Sequence, residues 1–193
     1  MEWKTIVDTK QAETYARGRD DKSSLLPKRD VAPQSISDTG VNLSNATSRD
    51  DVANTVLDFI SSSSGTAALA IIKDGIVSGW KACSNRKMIP DFEEFFTPIE
   101  TLPDLQQCVI TKNPYFGNIM TAEKKLLLQM LQVTGEHLAF FPIVLHQRVI
   151  SVLMCDRSEK LHLLNVAELC LKASYALQIL ILRSKLMNTK LIS

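Results

Sequence analysis

The chain has 193 residues, 45% of them hydrophobic and 22% charged, which is the usage of a folded globular domain and not of a disordered segment. Its 22 basic and 21 acidic residues leave a net charge of +1, which argues against a nucleic-acid-binding protein and against a polybasic membrane-surface protein. The longest unbroken apolar run, Leu138–Leu145, contains Pro142 and falls short of the roughly 20 residues that a membrane span needs. Residues 1–30 carry no apolar signal-peptide core, so the expectation is a cytoplasmic protein with neither a membrane nor a nucleic acid as partner.

Residues 1–46 read as a disordered or weakly structured tail. Apolar residues are sparse there, no period of 2 or 3.6 is sustained, and residues 1–50 balance eight basic against eight acidic side chains. A small apolar patch, Trp3, Ile6 and Val7, is the one candidate docking motif in it.

The folded domain is expected over residues 47–193. Thr47 or Ser48 caps a first helix with Asp50 and Asp51 in its first turn, where the helix dipole favours negative charge. Val52, Val56, Phe59 and Ile60 then repeat at helical spacing on one face. Two strands follow, residues 66–73 and 76–83, joined by Asp74-Gly75. Asp-Gly between apolar runs predicts a type I′ hairpin, because both turn positions need positive φ. In the first strand Ala67, Leu69 and Ile71 alternate with Ala68, Ala70 and Ile72, so both faces are apolar and both must be covered. Strict alternation in the second strand puts Ile76, Ser78, Trp80 and Ala82 on one face and Val77, Gly79, Lys81 and Cys83 on the other.

Residues 84–120 are irregular. Phe92, Phe95 and Phe96 lie in a short acidic segment, residues 97–101 read as a short edge strand, and Pro103 opens a helix to about Thr111. Thr121 caps a helix to about Gln132 with Leu127, Leu128 and Leu131 on one face and Lys124 and Lys125 on another. A second hairpin follows, residues 137–145 and 149–156 joined by a His-Gln-Arg loop, again apolar on both faces. Residues 161–187 form a long closing helix, apolar over more than half of its circumference. Helices and antiparallel hairpins in this order predict an α+β domain, a central antiparallel sheet with helices on both faces.

The chemistry-bearing motifs are few. Cys83, Cys108, Cys155 and Cys170 contain no C-x-x-C pair, and no two histidines stand at i,i+4 spacing, so neither a metal nor another cofactor is expected. There is no G-x-x-x-x-G-K-[ST], G-x-S-x-G, H-E-x-x-H or G-x-G-x-x-G. The adjacent carboxylates Glu93 and Glu94 do not converge on a helix or strand, and no enzyme is expected.

The first hairpin, Ala70-Ile71-Ile72-Lys73-Asp74-Gly75-Ile76-Val77-Ser78-Gly79-Trp80-Lys81-Ala82, resembles that of bacterial GAF-like domains. Pro142-Ile143 and Val149-Ile150-Ser151-Val152-Leu153 resemble their later hairpin. The resemblance covers residues 47–187. It implies an α/β/α sandwich in a signalling protein, a module that dimerises, binds other proteins and in many members holds a small molecule. No Asn-Lys-x-Asp-Glu cyclic-nucleotide motif and no Pro-x-Ser-Asp-Ile-Pro tetrapyrrole segment is present, so no binding residue carries over from the family. If the chain has a ligand pocket, it is expected between the sheet and residues 84–120, with Trp80, Phe96, Tyr115 and Phe116 as its aromatics. The surplus apolar surface of the last helix predicts a homodimer through Leu177, Leu180 and Ile181 together with Val56 and Ile60 of the first helix. Two alternatives stand beside this reading. One is a roadblock- or longin-type scaffold for a small GTPase or another protein partner. The other is a GAF-fold methionine sulfoxide reductase, for which Cys83 and Cys108 are the available thiols.

Overall fold

A computed structural model describes residues 35–133, 135, 137–156 and 162–190. The Trp3, Ile6 and Val7 patch and the rest of the expected tail up to residue 34 lie outside the described residues. The elements run α1 (Ile36–Ser44), α2 (Arg49–Ser64), β1 (Thr66–Lys73), β2 (Ile76–Ser84), β3 (Lys87–Met88), β4 (Phe96–Pro98), α3 (Pro103–Thr111), α4 (Ala122–Met130), β5 (Leu138–Leu145), β6 (Arg148–Asp156) and α5 (Leu163–Lys190). Short 3₁₀ turns at Pro90–Glu94 and Ile99–Thr101 flank β4.

The strands form one antiparallel sheet in the order β3-β2-β1-β6-β5, with β4 also pairing along the outer side of β2. Alternation along the strands feeds two cores. Ala67, Leu69, Phe141, Leu153 and Cys155 face α1, α2 and α5. Ala68, Ala70, Phe140, Val152 and Met154 face the Pro90–Glu94 turn, α3 and α4. The domain is therefore α+β with helices on both faces of a central antiparallel sheet, as the two-sided apolar strands require.

Turn chemistry sets the hairpins. Asp74 and Gly75 take φ of 51° and 78°, the pair of positive values that a type I′ turn needs. His146 and Gln147 do the same without a glycine, at 47° and 67°, which shortens the expected three-residue loop to two and starts β6 at Arg148.

Two expectations change. The boundary at residue 47 is too late: Ile36–Ser44 is a helix, Ser35 caps it by accepting from the Asp38 amide, and Leu43 and Ala46 are buried in the core. Lys172 Nζ of α5 donates to the Ile36 carbonyl at 3.2 Å, so α1 is held by a contact 136 residues away in sequence. Strict alternation in β2 also fails. Leu69 pairs with Lys81 and Ala70 with Gly79, leaving Trp80 as an extra residue in a β-bulge. The bulge turns Ala82 to the same core as Val77, and Trp80 and Cys83 to the other. Gly79 is required here, because a Cβ on it would lie 1.8 Å from the Phe92 carbonyl oxygen.

Candidate functional site

The closing helix α5 has no proline or glycine and is rich in leucine and alanine, so it runs unbroken over its 28 residues. One face packs on the sheet, with Val166, Leu169, Cys170, Ala173, Ala176 and Leu177 buried. The opposite face is also apolar yet exposed: Leu164 at 86%, Leu171 at 54%, Tyr175 at 58%, Leu182 at 50% and Leu186 at 65%. At 3.6 residues per turn these five side chains fall within about 60° of arc, directly across the helix from the core stripe. Ile179 borders them.

By length and composition Leu163–Met187 also meets the measure of a membrane-crossing helix, although no single run in it is long. The apolar residues are spread over two faces, and one of those faces is packed in the domain's own core.

Two neighbours shape the surroundings of this stripe. A groove of 480 Å³ lies between α1 and α5, lined by Ser37, Gly40, Val41, Lys172, Tyr175 and Ile179 among others. Lys172 bridges it, paired with Glu168 at 2.9 Å one turn earlier. On the far side of α5, Ser174 Oγ donates to the Cys170 carbonyl at 2.9 Å and accepts from the Val144 amide at 3.2 Å.

That last bond belongs to a wider arrangement at the sheet edges. Phe140 exchanges both backbone hydrogen bonds with Tyr115, at 2.9 and 3.0 Å, Pro142 has no amide hydrogen, and Val144 gives its amide to Ser174. The outward amides of β5 from Phe140 to Val144 are thus occupied or missing. On the other side β2 is covered by β3 and β4, two and three residues long, the latter ending in Pro98. Among the described residues, neither edge offers a long open ladder to a further strand.

The expected pocket aromatics do not gather. Trp80 packs on the α2 side of the sheet, with Nε1 donating to Asp50 at 3.2 Å and the Arg49 guanidinium 6.0 Å from its ring. Phe96 is 68% exposed on the β4 edge. Tyr115 and Phe116 straddle β5: Tyr115 packs on the α3–α4 core, while Phe116 meets the edge of Phe141 at 5.8 Å on the opposite face. The α3–α4 face that was expected to hold a ligand is filled by Phe92, Phe95, Leu105, Cys108 and Leu127.

The expected interface residues divide. Val56 and Ile60 are fully buried against the chain's own sheet, because the amphipathic face of α2 that they mark is its core face, and they offer a partner nothing. Leu177 is also buried, Leu180 is half-buried, and Ile181 is exposed on the flank of α5. The apolar surface left outside lies on the Leu171–Tyr175–Leu182 face instead.

Sequence reasoning missed a buried ion pair. Lys124 Nζ and Asp104 Oδ2 are 2.5 Å apart, and both side chains are only 2% exposed. Asp104 also accepts from the Ile119 amide at 3.1 Å, and Lys124 donates to the Gly117 carbonyl at 3.4 Å. A Cβ on Gly117 would stand 1.9 Å from Asp104 Oδ1, so the loop from α3 to α4 wraps directly over the pair. The signal available was an aspartate in the first turn of one helix and a lysine in the first turn of the next; nothing local marks them as partners.

The thiols are poorly suited to redox catalysis. Cys83 and Cys108 are buried on opposite faces of the sheet. Burial pushes the Cys108 thiol up to about 12 and raises that of Cys83 as well. Cys155 is likewise pushed up to about 12 by burial and then by Asp156, and burial raises the Cys170 thiol well above its ordinary value. A thiolate nucleophile needs the reverse shift.

No family model matches the chain, and no curated protein does. Solved structures do match. Residues 122 to 287 of a methyl-accepting chemotaxis protein superpose with a TM-score of 0.61 at 12% identity, over 76% of this chain and 98% of that one. The GAF domain/HD domain protein from Geobacter sulfurreducens gives 0.54 at 14% identity, over 72% and 95%. Free methionine-R-sulfoxide reductase from Neisseria meningitidis, solved with its substrate, gives 0.54 at 13% identity, over 77% and 89%. At these identities the likeness is one of fold, and the fold is that of GAF domains.

Proposed function

We propose that this chain is a non-catalytic GAF-fold regulatory module of a bacterial signalling protein, acting in the cytoplasm as a homodimer that presents itself to a protein partner. The observation that carries the reading is the second apolar face of α5. A helix with one apolar stripe is satisfied by its own domain; a further stripe directly opposite calls for an additional partner. Both sheet edges are closed, which directs association to the helix. Fold neighbours in a methyl-accepting chemotaxis protein and in a GAF domain/HD domain protein support the regulatory context. The reductase reading is disfavoured by thiols that are buried and separated by the sheet. The small-molecule arm of the sequence reading loses its anchor, because its four aromatics occupy different sites.

Native mass spectrometry of the purified protein tests the proposal in one spectrum. The expected result is a dimer of this chain without a retained small molecule. A monomer overturns the dimer, and a protein-bound mass of metabolite size restores ligand sensing as the primary role.

A further inference from the structure

We infer that residues 112–120, the strap between α3 and α4, open and close as one unit while the rest of the domain stays folded, and that the buried Asp104–Lys124 pair is the latch that holds them shut. The strap crosses the outer edge of β5 from one face of the sheet to the other. Tyr115 packs on the α3–α4 core, and Phe116 lies against Phe141 on the α5 side. Little apolar burial holds it in place. None of its side chains is fully buried, Tyr115 and Met120 are only partly packed, and Lys112, Asn113, Pro114, Asn118 and Ile119 are exposed.

Its fastenings are polar instead. In its middle, Tyr115 and Phe140 exchange both backbone hydrogen bonds. Further on, Asp104 accepts from the Ile119 amide at 3.1 Å and Lys124 donates to the Gly117 carbonyl at 3.4 Å, so each member of the pair holds one strap residue. Gly117 makes that seat possible. A Cβ there would stand 1.9 Å from Asp104 Oδ1 and 2.3 Å from Tyr115 Cε1.

Energetics give the strap a second state. Closure takes two charges out of water, and their attraction offsets that cost only while the contact and its supporting hydrogen bonds are complete. Lifting the strap returns both charges to water and exposes little apolar surface, whereas unfolding the sheet exposes both cores. The opening therefore lies well below global unfolding in free energy, as segments with few buried apolar contacts do. It uncovers an acid and an amine side by side and frees the Phe140 N–H and C=O at the β5 edge. As Phe116 leaves Phe141, it also reshapes the 210 Å³ pocket that Lys112 and Pro114 share with Leu171 of α5. One movement thus reaches both faces of the sheet.

Residue-resolved amide hydrogen exchange, measured over urea concentrations below the unfolding transition, tests this on the unmodified protein. The Tyr115, Ile119 and Phe140 amides are expected to exchange faster than those of the central strand β1 and to depend only weakly on urea, because that slope follows the surface exposed. Two variants then address the latch. Gly117→Ala leaves both charges in place and blocks the seat sterically, while Asp104→Leu combined with Lys124→Met removes the charges and keeps apolar bulk. Tyr115 and Phe140 donate their amides to each other's carbonyls and not to the pair. In both variants those two amides are expected to exchange about tenfold faster, or more, relative to the β1 amides. Strap amides that share the rate and urea slope of β1 overturn the separate opening. Acceleration confined to Ile119, with Tyr115 and Phe140 unchanged, overturns the latch. Should the double variant not fold, Gly117→Ala and the urea series decide both points.

Discussion

Asp104 and Lys124 place opposite charges inside the protein, and their mutual contact is what makes that burial tolerable. Removing one partner strands the other without water, which typically costs about 3–5 kcal/mol, whereas replacing both with apolar side chains of similar size is often neutral or better. Lys124→Met is therefore expected to destabilise the fold by an amount in that range in a denaturant melt, and Asp104→Leu combined with Lys124→Met to recover most of the loss. A single variant within about 1 kcal/mol of the parent would mean that the pair is open to solvent. Little of this was legible beforehand. Lys124 and Lys125 look alike in the sequence, and only the packing of the loop that carries Gly117 decides which of them turns inward. Trp80 is a similar case. Alternation assigned it to a face by parity, and the bulge gave it its partners, Arg49 and Asp50.

At the scale of elements, local chemistry was enough where the determinants are local. The capping box of α2 is one such case: Ser48 accepts from the Asp51 amide, and Asp51 accepts from the Thr47 hydroxyl and from the Thr47 and Ser48 amides. Those bonds, the Thr47 hydroxyl first, hold the Asp51 carboxyl at about 2, below its ordinary 3.8. The folded-state value is the depressed one, so the cap's contribution is fully present above pH 3.8 and is lost as pH falls through 2. Carboxyl chemical shifts are expected to show Asp51 titrating near 2, with the Thr47 and Ser48 amides moving together with it; titration near 4 would mean that the box does not form in solution. The Asp74-Gly75 turn, the Thr121 cap and the Pro103 helix start were legible for the same reason. Helix α1 was not. Its nine residues include Asp38, Gly40 and Asn42 and only three large apolar side chains, and it is held by Lys172 from the far end of the chain. A chain beginning at Thr47 is accordingly expected to melt below one beginning at Ser35, because it loses Leu43 and Ala46 from the core. Equal midpoints would show that α1 contributes nothing to the fold.

For the molecule as a whole, the two-sided apolar strands already required a covered sheet, and the surplus on the last helix is what motivates the proposed partner. What the sequence could not apportion was which residues serve which purpose. Val56, Ile60 and Leu177 are as hydrophobic as Leu171 and Leu182, and only the placement of α5 across the sheet separates the residues spent on the domain's own core from those left outside. The account stands or falls on that outer face. Sedimentation equilibrium at tens of micromolar, on the unmodified protein and on Leu171→Glu combined with Leu182→Glu, tests it most directly. The substituted side chains are half or more exposed, so the fold is expected to survive and its melt to stay close to the parent's. The account predicts a dimer for the unmodified protein and a folded monomer for the double variant. A monomer for the unmodified protein, or a dimer that the two charges leave intact, would contradict it.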